Sequence, residues 1–451
     1  MARIQIQLDM GPMANALVPV SIVNADRTVQ RSPVTLVIQG SNRVTSEPLT
    51  EGSYLVQASL PNGRVLQELV DLTEQDAFVE LRTPYTSPRE SLAAAFATRQ
   101  VMRQAGLRPS SASLKVFVQL WALEAGRWIP APLTQGVDWM QQDEEHSFVA
   151  RVPIGPASVP RALRIGGPKV PERFVMVPPY VDSQVAVYMR PKGLASPLQR
   201  QDATGRAKAS TQDPICVSVV THNAVAEGML SYMLQGQFEA VRAIQDAAAR
   251  QLLGGKYVDP VGATAGAYAL LRSGGLREVL SWLDNLAEQF EAMSDAFLIL
   301  AAMALDEAMP LSRLRSLQGL RGMAVPKLEG YDQREAVAIH LLGQAYERGL
   351  PLYTEGLRLH RDVLDVLDYD PEAAKTGPRN SVARNKILGA KTLRKRQDPR
   401  RWARGMDHFL EAAAQADWYA RAVTVYSPHP GKILKRRSYW REPGPFAEVS
   451  P

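Results

Sequence analysis

ICVSVVTHNAVAEGMLSYMLQGQFEAVRAIQDAAARQLL, residues 215–253, contains the change of pattern that decides the fold class. Its first six residues, Ile215–Val220, form a short run rich in β-branched side chains, which favours a strand. After Thr221 the apolar residues recur three or four positions apart, as at Phe238 and Val241, which is the spacing of one helix face. The chain is therefore predicted to be β structure before this point and helical after it.

The N-terminal residues 1–83 show the alternation that is typical of short strands. Apolar and polar side chains alternate in Ile4–Leu8, and Asn62-Gly63 supplies the positive φ angles that a tight hairpin turn needs. Short strands separated by such turns predict a small antiparallel β-sandwich. The phrase LTEGSYLVQASLPNG, Leu49–Gly63, resembles the prealbumin-like and carboxypeptidase-regulatory-like sandwiches. This resemblance implies an accessory module that binds or spaces and does not catalyse.

The rest of the chain divides by composition and by hydrophobic period. Proline-rich strand patterns alternate with polar stretches, and helical periodicity dominates the second half. The predicted segments are a linker or short helix at 84–112, a second β-rich domain at 113–190, a flexible linker at 191–213, an irregular, tetratricopeptide-like helical domain at 214–373 and a basic C-terminal region at 374–451. The predicted fold class is thus multidomain β + α, with an N-terminal antiparallel β-sandwich and a C-terminal irregular helical repeat.

Composition bounds the cellular setting. Cys216 is the one cysteine among 451 residues, which excludes an internal disulfide and a multi-cysteine metal cage. The N-terminus, MARIQIQLDM, lacks the basic patch and apolar core of a secretory signal. The longest apolar run, Ala296–Leu305, has about half the length that a membrane-spanning helix needs. We therefore expect a cytoplasmic protein that does not insert into a membrane.

Positive charge is concentrated near the C-terminus. The formal net charge is +6, and residues 375–451 hold 17 Lys and Arg against 6 Asp and Glu, so the rest of the chain is net negative. The candidate residues for binding nucleic acid or an acidic partner are Lys391, Arg394, Lys395, Arg396, Arg400, Arg401, Arg404, Lys435, Arg436 and Arg437. Trp402 and Trp440 lie among them, and such rings suit base stacking beside phosphate contacts. The alternative is a solvated tail that docks on acidic protein.

Catalytic and metal-binding motifs give weak signals. Cys216 and His222 are six residues apart, and a thiolate nucleophile with an imidazole base needs that pair of residue types, but a lone cysteine in an apolar strand favours a buried structural thiol. His340 and His360 lack the spacing and the further ligands of a zinc site. The acidic cluster at 362–372 lacks the glycine of a calcium loop. We assign no catalytic, cofactor-binding or metal-binding residue.

Two phrases carry a second resemblance. Asp259–Arg272 together with Trp282–Phe290, and Gly349–Leu359, resemble a group of bacterial proteins that join N-terminal β modules to helices and are encoded near caspase-like peptidases in conflict systems. The resemblance implies a partner or a proteolytic target of such a peptidase, in antiviral defence or programmed cell death. It carries no functional residue over to this chain.

These observations leave three hypotheses. The leading one is a non-enzymatic protein-interaction or scaffold component whose helices present a partner-binding surface. The second is a nucleic-acid-associated regulator that acts through the basic C-terminal region, and the third is a cysteine hydrolase that uses Cys216. If the protein is a peptidase target, the polar linker 191–213 is the expected cleavage site, because exposed polar segments are where proteolysis concentrates.

Overall fold

The structure is a computed structural model. It describes residues 2–9, 17–25, 34–38, 42–60, 65–82, 117–124, 127–131, 138–141, 147–155, 159–167, 170–189, 215–221, 223–234, 236–244, 248–290, 292–310, 312, 333–367, 399–415 and 422–427. The predicted linkers 84–112 and 191–213 lie outside these residues. Among the described helices, none is long and apolar enough to cross a bilayer.

Fifteen of the described strands precede the described helices, as predicted, and one further strand follows them near the C-terminus. The strands are β1 (Ile4–Asp9), β2 (Val18–Asn24), β3 (Val34–Ile38), β4 (Arg43–Thr45), β5 (Gly52–Ser59), β6 (Val65–Leu72), β7 (Ala77–Arg82), β8 (Phe117–Glu124), β9 (Arg127–Pro130), β10 (Asp138–Gln141), β11 (Ser147–Val152), β12 (Arg161–Gly167), β13 (Val170–Val177), β14 (Ser183–Met189), β15 (Ile215–Val220) and β16 (Thr424–Ser427). The helices are α1 (Ala224–Leu234), α2 (Phe238–Ile244), α3 (Arg250–Gly254), α4 (Pro260–Ser273), a 3-10 helix (Gly275–Val279), α5 (Leu280–Gln289), α6 (Asp295–Leu305), α7 (Gln333–Glu347), α8 (Thr354–Val366) and α9 (Pro399–Gln415). The predicted β + α class is confirmed.

The chain forms two compact units, and the first comprises residues 1–108, 220–255 and 265–276. Two sheets, of strand order β4-β1-β7 and β3-β2-β5-β6, share one apolar core. The alternating side chains of β5 illustrate how this core forms. Tyr54, Val56 and Ala58 point into it and the residues between them do not. β5 and β6 pair antiparallel as the Asn62-Gly63 turn predicts. β1 and β7 pair in parallel, which their separation along the chain permits.

Helices α1, α2 and α3 and most of α4 also belong to the first unit. The hydroxyl of Tyr232, in α1, donates hydrogen bonds of 2.9 Å to the carbonyl oxygens of Leu17 and Ser59, and the tyrosine is fully buried. Helix α2 packs on β2 and β3. Segment 214–373, which the sequence predicts as one helical domain, therefore contributes residues to both compact units.

The second unit comprises residues 109–219, 256–264 and 277–451. It holds a five-stranded sheet of order β16-β13-β12-β8-β9 and a four-stranded sheet of order β10-β11-β14-β15. Their inner faces supply one core that includes Leu163, Val175 and Val185. Helix α6 is almost entirely buried between α5, α7 and α8. Its run of apolar side chains, on every face, is typical of a central helix.

The C-terminal region contributes a helix and a strand to this second unit. In α9, Met406 and Phe409 are fully buried, and α9 packs on α7 and α8. Gly405 lies so close to Tyr346 that an added Cβ atom would be 2.4 Å from the tyrosine Cβ. β16 then pairs antiparallel with β13. Part of the region predicted as a basic tail is therefore built into the folded core.

Candidate interaction surface

The predicted basic residues divide into two groups. Arg400 and Arg401 lie in the first turn of α9 and Arg404 in the second, after Pro399 at the first helical position. The other candidates lie outside the described residues: Lys391, Arg394, Lys395, Arg396, Lys435, Arg436 and Arg437. The first turn of α9 holds no acidic residue, although acidic residues are the ones that stabilise a helix N-terminus.

The proposed cysteine nucleophile lies within a strand. Cys216 is in β15, and Val217 and Val219 of the same strand are buried in the core of the second unit. His222, its predicted base, lies outside the described residues. The Cys216 hydrolase hypothesis therefore stays a prediction.

His360 is held in a purely structural setting. It is fully buried on α8, its Nε2 atom lies 2.7 Å from the Tyr346 hydroxyl, and its ring centroid is 5.0 Å from that of Phe409. Its Nδ1 atom has no hydrogen-bond partner within the described residues. Burial lowers the pKa of His360 to about 3, because an added proton would lie in an apolar site without an acceptor. The imidazole is therefore neutral at pH 7.

The two histidines do not form a metal site with other described residues. His340 lies on α7 and His360 on α8. In the described ranges, no group of three or more His, Cys, Asp or Glu residues could hold a metal ion. The chemistry of these histidines is thus that of buried polar side chains packed among rings.

A buried network joins the two phrases that carry the second resemblance. The carboxylate of Asp295 accepts hydrogen bonds from the backbone N–H groups of Leu352 and Tyr353, at 2.8 and 3.4 Å. The Tyr353 hydroxyl donates to the carbonyl oxygen of Val261 at 3.0 Å. Burial, reinforced by Asp259 and Asp295, raises the pKa of Tyr353. We call this set of residues the Asp295–Tyr353 network. Its hydrogen bonds hold the loop before α8 against the start of α4.

The same loop is fixed from two further sides. Gly349 has a φ of 86°, a left-handed conformation that suits glycine just after a helix. The N–H of Val423 donates to the carbonyl oxygen of Leu352, and Val423 in turn accepts from the N–H of Met176. The chain just before β16 thus links the loop to β13. The Asp295–Tyr353 network is a structural junction and offers no accessible reactive atom.

The buried arginines of the five-stranded sheet are equally occupied. Arg161 donates through Nη2 to the carbonyl oxygens of Pro153 and Pro178, at 2.7 and 3.1 Å. Burial lowers the pKa of Arg161 to about 10, so the group stays charged at neutral pH. Arg164 forms a buried ion pair with Glu172. These hydrogen bonds and this ion pair stabilise the sheet, although the Nε atom of Arg161 has no hydrogen-bond partner within the described residues.

One cluster in the second unit consists of exposed apolar side chains instead of buried polar ones. Val258 is 89% exposed, Tyr257 66% and Trp282 38%, an unusual display of large apolar side chains. Lys256 lies beside them and is only 5% exposed. Its ammonium is 4.8 Å from the ring centroid of Tyr257 and 5.9 Å from that of Trp282. We call these four residues the Lys256–Trp282 surface.

Two further aromatic rings, those of Phe290 and Tyr180, pack next to this surface. Phe290 packs edge-on against Tyr180, with centroids 5.0 Å apart, and lies 6.4 Å from the ring of Tyr257. The N–H of Ala292 donates to the Tyr180 hydroxyl at 2.8 Å. The supporting rings are therefore fixed by packing and by a hydrogen bond. A surface held in this way meets a partner with little loss of conformational entropy.

Sequence reasoning missed this surface. The helical spacing of Trp282 with Leu283 and Leu286 favours a core position for all three, yet only the two leucines are buried. A sequence signal that points to this surface lies at the start of α4. Asp259 is its N-cap and accepts from the N–H of Gly262 at 2.8 Å, and a residue before an N-cap usually packs back on the helix. Val258 instead projects into solvent.

The comparisons with known proteins match part of the chain. Residues 228–395 match the Y4kD C-terminal domain. The matched span includes the Asp295–Tyr353 network and all four residues of the Lys256–Trp282 surface. No curated protein and no solved structure matches the chain. The similarity thus spans both the junction and the surface, and it assigns neither of them a role.

Proposed function

We propose that this chain is a non-enzymatic protein-interaction component that acts with a caspase-like peptidase, as its partner or its target, in a bacterial defence or cell-death system. The observation that carries the proposal is the Lys256–Trp282 surface. It exposes Tyr and Trp side chains on a rigid support, and these residue types are enriched where interfaces derive most of their binding energy.

The buried polar groups support the same proposal. Asp295 and Tyr353 have their hydrogen bonds satisfied by backbone groups, and His360 is neutral and enclosed. General acid–base catalysis needs a titratable group within reach of a substrate. These three groups hold structure instead. The residues left for an outside molecule in this part of the second unit are the aromatic and apolar ones of the Lys256–Trp282 surface.

The test is capture of the tagged full-length protein from cells that also express the peptidase, with and without nuclease. We expect the peptidase to be recovered in stoichiometric amount regardless of nuclease treatment. The double variant Tyr257→Ala/Trp282→Ala should lose it by at least about 30-fold, since one interface anchor is worth about 2 kcal/mol. Phe78→Ala is the matched control, because Phe78 is exposed on β7 of the first unit.

Capture that survives the double variant would refute this surface as the contact site. Cleavage is a separate readout of the same experiment. If the chain is a target, the peptidase should cut within 191–213 before any other segment, giving a β-containing N-terminal fragment and a C-terminal fragment. A first cut elsewhere would contradict the linker as the cleavage site.

A second candidate function rests on α9. Arg400 and Arg401 lie in the first turn of α9, which itself holds no acidic residue, and a helix N-terminus attracts phosphate. A nucleic-acid-associated regulator would use these arginines. Binding to a single-stranded oligonucleotide should then weaken steeply with salt, and Arg400→Gln/Arg401→Gln should reduce the slope of the logarithmic salt plot by roughly 1.4. An unchanged slope would reject α9 as the contact.

A further inference from the structure

Among the residues that the structure describes, Lys256 has no acidic partner. It is only 5% exposed, and within the described residues its ammonium contacts the rings of Tyr257 and Trp282 and no carboxylate or carbonyl oxygen. Burial lowers the pKa of Lys256, because the charged form is less favourable at this site than in water. Ring faces attract a cation by about 0.5–2 kcal/mol. The Lys256 ammonium is not among the fully buried polar atoms that lack a partner, so it keeps contact with water and can still donate hydrogen bonds to an incoming acceptor.

The side chains around the ammonium define what can complete it. Val258, Tyr257 and Trp282 surround the site with exposed apolar area, so a hydrated ion in this position would leave that area in water. A carboxylate carried between apolar side chains would satisfy both needs. Its oxygen would accept a charge-assisted hydrogen bond, while its neighbours would cover the rings and Val258.

Resting on the proposed function, we propose that the Lys256–Trp282 surface binds a protein segment that places one Asp or Glu carboxylate on Lys256 and apolar side chains on Val258, Tyr257 and Trp282. The flexible four-carbon stem of Lys256 lets the ammonium turn toward the incoming carboxylate. Nucleic acid is the less suitable occupant, because phosphate binding draws on several cations at once and the four residues of this surface include one.

The test uses a library of random dodecapeptides displayed on phage, selected on the full-length protein. Four matched targets are selected in parallel: Lys256→Met, which keeps the apolar stem, Lys256→Arg, which keeps the charge, Tyr257→Ala/Trp282→Ala, which removes both rings, and Arg242→Met, which removes an exposed cation from α2 of the first unit. We expect sequences enriched on the wild type to carry a single Asp or Glu between apolar residues. The same enrichment should appear on Lys256→Arg and on Arg242→Met.

On Lys256→Met the acidic preference should disappear. Synthetic peptides of the enriched sequence should bind it about tenfold more weakly than they bind the wild type, and replacing their carboxylate by an amide should cause the same loss on the wild type, since hydrogen bonds to charged groups contribute about 1.5–3 kcal/mol. Circular dichroism melting curves should coincide, which shows that each variant is folded.

Several outcomes would overturn the proposal. They are enrichment without an acidic residue, identical enrichment on Lys256→Met, and no enrichment above that on Tyr257→Ala/Trp282→Ala. Binding of a labelled oligothymidine that is lost in Lys256→Met would assign the surface to nucleic acid instead. Failure of the proposed function is recognised separately, as peptidase capture that the Tyr257→Ala/Trp282→Ala change leaves intact. Loss of capture by that change without any acidic preference would reject only the carboxylate.

Discussion

Asp295 and Lys256 are both almost completely buried charged residues of the second unit, yet they stand in opposite situations. The Asp295 carboxylate accepts from two backbone N–H groups, whereas the Lys256 ammonium has ring contacts alone within the described part of the chain. A buried charge with its hydrogen bonds made is an element of the fold. A charge whose described contacts are rings alone keeps its hydrogen-bonding capacity for water or for a ligand.

The comparison therefore predicts opposite consequences of substitution. Changes in the Asp295–Tyr353 network should destabilise the second unit and affect binding only through folding. Changes in the Lys256–Trp282 surface should leave stability nearly unchanged and remove binding. The following experiments test whether stability depends on the Asp295–Tyr353 network and binding on the Lys256–Trp282 surface.

The largest effect is expected at Asp295. Replacing it with Ala leaves the N–H groups of Leu352 and Tyr353 buried without an acceptor, which should lower the free energy of unfolding by about 3 kcal/mol. Urea unfolding, followed by hydrogen exchange of peptides from α6 and α8, measures this. Asp362→Ala is the control, because Asp362 is exposed on α8, and it should change stability by less than about 0.5 kcal/mol. Equal losses for the two variants would contradict a structural role specific to Asp295.

The next largest effect is a pH dependence from His360. Its pKa is about 3 in the folded protein and 6.5 for an ordinary histidine, so between these values the unfolded chain binds more protons than the folded one. Stability is therefore fully present above pH 6.5 and is lost as the pH falls, by about 2 kcal/mol between pH 6.5 and pH 5. Urea unfolding across this range should show the loss in the wild type. His360→Gln should remove this component of the slope, and an unchanged slope would show that another group titrates.

Tyr353→Phe should have a smaller effect. It removes one hydroxyl and leaves the carbonyl oxygen of Val261 without this donor, while the ring stays in place, so the expected loss is about 1 kcal/mol. The matched variant Tyr232→Phe removes a hydroxyl that donates to two carbonyl oxygens in the first unit. It should lower the stability of the first unit and leave hydrogen exchange in α8 unchanged. Loss of protection in α8 upon Tyr232→Phe would show that the two units do not unfold independently.

Much of this fold follows from the hydrophobic period of the sequence. The alternation in Ile4–Leu8 and the helical spacing after Thr221 predict the strands and helices that the structure has. The pairing of β16 with β13 could not be predicted in this way. Pairing between strands that are far apart in the sequence produces no periodic pattern of apolar residues. The basic composition of the same region obscured the apolar face of α9, where Met406 and Phe409 are buried.

The candidate surface was even less accessible to sequence reasoning. Spacing places Trp282 on the apolar face of α5, and only packing decides that Leu283 turns inward and Trp282 outward. The Asp295–Tyr353 network joins residues more than fifty positions apart, and hydrogen bonds between such distant residues have no local pattern. The phrases Asp259–Arg272 and Gly349–Leu359 stood out as motifs, but their meeting through Tyr353 and Val261 required the structure.

The smallest effect on stability is expected at Lys256. Lys256→Met keeps the stem against Tyr257 and Trp282 and removes an ammonium that has no counter-ion among the described residues, so the free energy of unfolding should change by no more than about 0.5 kcal/mol. Capture of the peptidase should nevertheless weaken, because the carboxylate of the partner loses its charge-assisted hydrogen bond. Thermal melting and capture, measured on the same preparation, check both statements. A destabilisation as large as that of Asp295→Ala would mean that Lys256 belongs to the fold, and the contrast between the two buried charges would then fail.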